Sequence, residues 1–322
     1  MAKWTLDCIA PEMQRVDAVI DGICESDNDK LSEMCHYVLD NHGKRVRPAT
    51  LILTYKALGG TDPERAINVA AALEVAHNAT LIHDDINDGG DLRRGARALY
   101  TQYSLNKSIV AGDYLFSMAF SLIGASDPRI VSIILEAAAG LANGEFDQGD
   151  HERNIDVTEA DYIKIVRNKT SGLFEAAAKS GAFLADPDNE DMIDAFGEFA
   201  VNAGIAFQIV DDILDEVGDP EVTGKRIGND IVDGKPTLPI IYAIQDPVIG
   251  AKVRAIFLDP KADYDSANEA IQLILKTDVI PRCRRLAEEY ADKAKACLKD
   301  APRSVYLDTL VSMVDFIVSR DR

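Results

Sequence analysis

The stretch ERAINVAAALEVAHNATLIHDD, residues 64–85, decides the fold. Its apolar residues recur at threes and fours, strict alternation is missing, and Ala, Leu and Glu are abundant, so it reads as one long helix. Apolar side chains lie on nearly every side of it, as in a helix enclosed by other helices. IVSIILEAAAGLANGEF, residues 130–146, has the same character. Outward from these two, the prolines leave uninterrupted windows at 64–127, 129–186 and 188–219, which also read as helical. In ALGGTDPERA (57–66), Gly59 and Gly60 stop one helix, and Thr61 or Asp62 caps the next ahead of Pro63. SDPR (126–129) and ADPDNED (185–191) repeat the device. No segment reads as a convincing strand, a linker or a solenoid repeat. The expectation is all-α: a single domain over residues 1–322, a multi-helix bundle whose centre is either packed solid or lined as a tunnel.

A length of 322 residues with 47% hydrophobic composition allows a sizeable core. The formal net charge of −20 repels nucleic acid and anionic headgroups, so any phosphate site must be local. The cysteines, at 8, 24, 35, 283 and 297, form no C-x-x-C pair, which argues against a disulfide framework or a zinc site and for a cytoplasmic protein. MAKWTLDCIAPEMQRVD lacks the layout of a signal peptide, and no window holds the roughly 20 apolar residues of a membrane span.

Two acidic patterns carry the chemistry: His83-Asp84-Asp85-Ile86-Asn87-Asp88 and Val210-Asp211-Asp212-Ile213-Leu214-Asp215. Residues four apart share a helix face, so Asp84 joins Asp88 and Asp211 joins Asp215. Like charges so placed repel unless something positive lies between them. Each pattern ends an apolar stretch, so its carboxylates emerge from the core, where charge needs a counter-charge. Oxygen-only ligands on helices suit magnesium, completed by substrate phosphates. One copy alone would read as a solvated acidic face; two copies on two apolar helices do not. Basic residues accompany them in GKRVRP (43–48), DLRRG (91–95), Lys169-Thr170, Gly224-Lys225 and Gly234-Lys235-Pro236. Arginine grips phosphate oxygens bidentately and lysine acts as a point charge. Arg45 and Lys107 read as ordinary surface partners.

With GKRVRP, HDDINDGGDLRRG, GDYLFS, NKTSGLF, FQIVDDILD and GKRIGNDIVDGKPTLP in order, the chain resembles a trans-isoprenyl diphosphate synthase of the polyprenyl synthetase family over nearly its whole length. The resemblance implies a helical bundle around a deep central cavity. It implies that Lys44, Arg47, His77 and Arg94 hold isopentenyl diphosphate. The allylic diphosphate would meet Arg93, Lys169, Lys225 and Lys235, with Thr170 and Gln208 nearby. Three magnesium ions would sit on Asp84, Asp88 and Asp211, with Asp85, Asp212 and Asp215 completing the motifs, Asp215 through water. The partners implied are the two diphosphate substrates and a second copy of the chain in a homodimer. A class I terpene cyclase would share the metal-bound aspartates but has no use for the Lys44, Arg47, Arg94 set. A non-catalytic subunit of a heteromeric synthase should have lost an acidic motif.

In short-chain members a bulky aromatic precedes the first motif by one turn. Here Ala79 and Thr80 stand there, with Ala76 behind them, so the tunnel floor is open to geranylgeranyl or longer products unless Phe120 or Phe146 closes it deeper down. Phe116, Phe120, Phe174 and Phe207 otherwise read as core packing. Asp113 and Asp230 read as partners of lysines.

Overall fold

The computed structural model describes residues 4–40, 43–217 and 227–320. Helices α1 (Ala10–Cys24), α2 (Asp29–Leu39), α3 (Val46–Ala57) and α4 (Glu64–Asn87) lead into a short hairpin, β1 (Leu92–Arg93) and β2 (Ala96–Arg97). Next come α5 (Leu99–Gln102), α6 (Leu105–Ile123), α7 (Pro128–Asp150), α8 (Glu159–Val166), α9 (Gly172–Ala185) and α10 (Glu190–Val217). The last described elements are α11 (Asn229–Asp233), α12 (Leu238–Gln245), α13 (Gly250–Phe257), α14 (Tyr264–Ile274), α15 (Val279–Cys297) and α16 (Val305–Val318). The helices begin and end for local reasons. Asp127 accepts the Arg129 amide at 2.8 Å with Pro128 at the first position of α7, and Asn189 accepts the Met192 amide at 3.3 Å at the start of α10. At α4 it is Pro63 that occupies the cap position, while Asp62 reaches the Glu64 amide at 3.4 Å.

Helix α4 is buried on most of its sides and packs against α1, α3, α6 and α9, as its unbroken apolar character predicts. The larger core gathers around it. A second core lies between α8, α10 and α12 to α15. Helix α10 feeds both, with Ala203 and Ala206 in the first and Ile205 and Ile209 in the second. By length and composition α10 could also cross a membrane, but 67% of its apolar stretch is buried within the fold.

Three expectations need correction. The window 64–127 is not uninterrupted helix, because β1 and β2 pair antiparallel between α5 and α4, with Leu92 opposite Arg97 and Arg93 opposite Ala96. Arg94 (φ 51°) and Gly95 (φ 79°) both take left-handed backbone in the two-residue loop, the geometry that matches strand twist. Strands of two residues are too short for alternation to reveal. Second, α7 is not enclosed. It lies along α9 on one side only and leaves Leu135 and Phe146 exposed, Phe146 by 78%, while α6 exposes Ile109, Val110 and Phe120. Phe120 is therefore not core packing, and neither Phe120 nor Phe146 reads as a tunnel plug.

The third correction is Arg45, which is 8% exposed. Its guanidinium meets Glu74 at 3.0 Å, the Leu39 carbonyl at 3.1 Å and Asp17 at 3.3 Å. Glu74, 2% exposed on α4, is the buried counter-charge. Breaking a buried pair strands the other charge. Glu74→Gln should lower unfolding free energy by about 3 kcal/mol in a denaturant titration, far beyond the effect of a surface pair.

Candidate active site

A cavity of about 240 Å³ opens where the end of α4, α8, α10 and the segment after α11 converge. Asp84 and Asp88, one turn apart on α4, line it together, as their spacing requires. Lys235 reaches across from the far end of the sequence and sets its Nζ 2.9 Å from Asp88 Oδ1 and 3.5 Å from Asp233. Burial opposes the Lys235 charge, but the Asp88 carboxylate outweighs it and holds the ammonium above its ordinary pKa. Asp84 is pushed up to about 6 by burial, partly relieved by Lys169 and reinforced by Glu145 and Asp88.

Between α8 and α9 the chain makes one wide helical turn, Arg167–Ser171, with i to i+5 bonding. Such turns re-aim side chains within a helix. This one presents Lys169 to Glu145 at 2.5 Å and Gln148 at 2.9 Å, and Thr170 to the cavity, where its hydroxyl donates to Gln208 Oε1 at 2.8 Å. Gln208 donates in turn to Asp212 Oδ1 at 2.8 Å, and the Tyr162 hydroxyl donates to Asp212 Oδ2 at 2.5 Å. Burial raises Asp212 to about 7, against the pull of these two hydrogen bonds. Asp230 lines the cavity close to Lys235. Asp211, on the next face of α10, lies 3.9 Å from Arg320, whose guanidinium lies 4.5 Å over the Phe207 ring.

A second cluster of cations lies nearby. Arg93 turns to Asp85, its Nε donating at 2.7 Å, while Arg94 packs over Gly43, where any side chain would strike its guanidinium at 2.7 Å. Arg47 stands 4.7 Å over the Phe174 ring and Lys44 5.2 Å over that of Phe316. Burial, then Arg47, Arg94 and Arg93, hold His77 well below its usual pKa, so its ring is neutral at pH 7. Burial also brings Arg47 down to about 10, still charged at that pH.

The structure thus gathers Asp84, Asp88, Arg93, Lys169, Thr170, Gln208, Asp212 and Lys235 around one cavity. Beside it stand Lys44, Arg47, His77 and Arg94, and Asp215 is half-buried one turn beyond Asp211. Lys225 lies outside the described residues. Asp113 is exposed and 3.9 Å from His83, and among the described residues it has no lysine partner. Ala76 and Ala79 are buried in the larger core, whereas Thr80 is half-buried on the His77–Asp84 row. Sequence reading missed Glu74, Glu145, Tyr162 and Arg320. Glu74 could have been flagged as a lone acid inside an apolar helix, and Tyr162 as two turns before Lys169; nothing local marks Arg320.

A family model described as polyprenyl synthetase matches residues 28–274. The chain is 37% identical over 304 residues to a geranylfarnesyl diphosphate synthase of Aeropyrum pernix, covering 91% of this chain and 95% of that protein. It is 33% identical over 331 residues to a geranylgeranyl diphosphate synthase of Methanosarcina mazei, covering 100% and 99%. A polyprenyl synthase from Caulobacter crescentus, solved with calcium and isoprenyl diphosphate, superimposes over 100% of both chains with a TM-score of 0.94 at 30% identity.

The raised Asp84 pKa has a stability consequence. In the fold the group titrates near 6 against an ordinary 3.8, so ionising it works against the metal-free fold, increasingly as pH rises from about 4 to about 6 and fully above that. In chelator, Asp84→Asn should melt above wild type at pH 7.5, with the gap closing towards pH 4.5. A gap that does not change with pH would contradict the assignment.

Proposed function

Because this chain belongs to the polyprenyl synthetase family, we propose that the cavity joins an allylic diphosphate to isopentenyl diphosphate, head to tail. The protein is a trans-isoprenyl diphosphate synthase, a prenyl transferase making geranylgeranyl or longer products. One observation carries the site reading: acidic motifs from α4 and α10 meet at a cavity ringed by cations, with a second cluster of cations nearby. One domain over residues 1–322 goes with it, since α10 contributes to both cores.

The donor set fits a divalent cation of the hard class, being all oxygen and acidic, with Asp84 buried. Among the described residues no group of three such ligands closes on one point, so phosphate oxygens would complete the shell. Magnesium, held by Asp84, Asp88 and Asp211, would neutralise charge on the departing diphosphate. The side chains do the rest. Lys169, Lys235 and Arg93 take the oxygens of the allylic diphosphate as its carbon–oxygen bond breaks and the electron pair leaves with the diphosphate. Lys44, Arg47, Arg94 and neutral His77 hold isopentenyl diphosphate so that its double bond attacks the allylic carbon. The proton then lost from the new cation goes to the released diphosphate.

A homodimer accords with the exposed apolar side chains of α6 and α7, Val110, Phe120, Leu135 and Phe146 among them. A cytoplasmic setting accords with five free cysteines, three of them buried. The test is to incubate purified protein with radiolabelled isopentenyl diphosphate, magnesium and each allylic primer, and to chromatograph the dephosphorylated products. Elongated prenyl alcohols are expected, and none should form in excess chelator.

Two predictions separate the pockets and the tunnel. Arg94→Ala should raise KM for isopentenyl diphosphate about ten- to a hundredfold while Lys235→Ala impairs use of the allylic partner, since each loses a charged hydrogen bond. Equal effects on both substrates would sink the division. Thr80→Phe should shorten the product towards farnesyl diphosphate by filling the row below Asp84, whereas Ala79→Phe should overpack the larger core and lower Tm.

A further inference from the structure

Building on the prenyl-transfer reading, we infer that Tyr162 is a positioning residue for the second acidic motif: its hydroxyl locks Asp212 as an anchor of α10, so that Asp211, not Asp212, is offered to the cation and diphosphate. Tyr162 is buried on α8 and gives its hydroxyl to Asp212 Oδ2 at 2.5 Å. Gln208, one turn earlier on α10, donates to Oδ1 at 2.8 Å and is itself held through its carbonyl by Thr170 at 2.8 Å. Both oxygens of Asp212, a residue 6% exposed, are thereby committed. Asp211 lies about 100° round the helix. Its side chain is 46% exposed and faces Arg320.

A carboxylate gripped at both oxygens has one rotamer, and on a long helix that grip also fixes the rotation of the helix about its axis. Tyr162 is two helical turns ahead of Lys169, on the chain that continues into the wide turn Arg167–Ser171. The hydroxyl therefore couples the lysine and threonine of that turn to the acidic face of α10. Without it, Asp212, which already lines the cavity, keeps one donor and frees an oxygen to compete with Asp211 for the cation in the wrong geometry.

The experiment titrates magnesium with inorganic pyrophosphate into wild type, Y162F, D211N and D212N by calorimetry, alongside ligand-free melting and steady-state kinetics. D211N should lose the complex by about a hundredfold. D212N, which still offers an oxygen to Tyr162 and meets a turned Gln208 amide, should stay within about threefold. Y162F should bind the complex about tenfold more weakly and lose about ten- to a hundredfold in kcat, the range expected when a hydrogen-bonding partner just behind a metal site is removed, with its KM for isopentenyl diphosphate close to wild type. A D212N that loses the complex as fully as D211N makes Asp212 a ligand and overturns the inference. So does a Y162F that melts lower yet keeps wild-type affinity and kcat. Failure of the prenyl-transfer reading is seen separately, as wild-type protein that forms no prenyl product, while the binding contrasts among the variants still decide the role of Tyr162.

Discussion

Carboxylates brought together around one partly buried cavity must be matched by cations, and the rest of this fold is arranged around that requirement. The chain supplies its own cations: Lys235 sits on Asp88, Arg93 on Asp85, Lys169 between Glu145 and Asp84, and Arg320 near Asp211. Most of these basic groups are also the ones assigned to phosphate. Substrate entry is then an exchange of partners, in which lysines turn from carboxylates to phosphates as metal takes the carboxylates over. Such an exchange moves little net charge into the cavity, which lowers its electrostatic cost.

The same requirement explains what was legible beforehand. Repeated Asp-Asp-x-x-Asp at the ends of apolar helices is a local pattern, and the helix period alone puts Asp84 beside Asp88. Helices α4, α7 and α10 were legible because proline-free apolar runs and Asp, Asn and Pro punctuation act within a few residues. Partnership across the chain was not. The Lys235–Asp88 contact joins residues 147 apart, and Arg45 looked like a surface residue because its counter-charge, Glu74, is 29 positions away on another helix. The open side of α7 was illegible for a related reason: an apolar run states that something covers it without stating whether this chain does.

Asp85 and Asp212 show how a motif can mislead when read letter by letter. Their neighbours Asp84 and Asp211 stand on other faces of their helices, and the structure gives Asp85 to Arg93 and Asp212 to Tyr162 and Gln208. Half of each acidic doublet is thus engaged in holding protein to protein. Sequence spacing fixes which residues share a face, but the neighbour that claims a face is set by packing.

The hairpin between α4 and α5 puts Arg93 and Arg94 next to each other in sequence and sends them to different neighbours, one to Asp85 and the other over Gly43. Its two-residue loop and two-residue strands leave no slack. In evolutionary terms the segment is closed to insertion and deletion, because one residue gained before Arg93 would move Arg93 into the loop position of Arg94 and carry Arg94 on to that of Gly95. Away from Arg93, Arg94 and Gly95, substitutions in this part of the gene are tolerated more readily than frame-preserving changes of length.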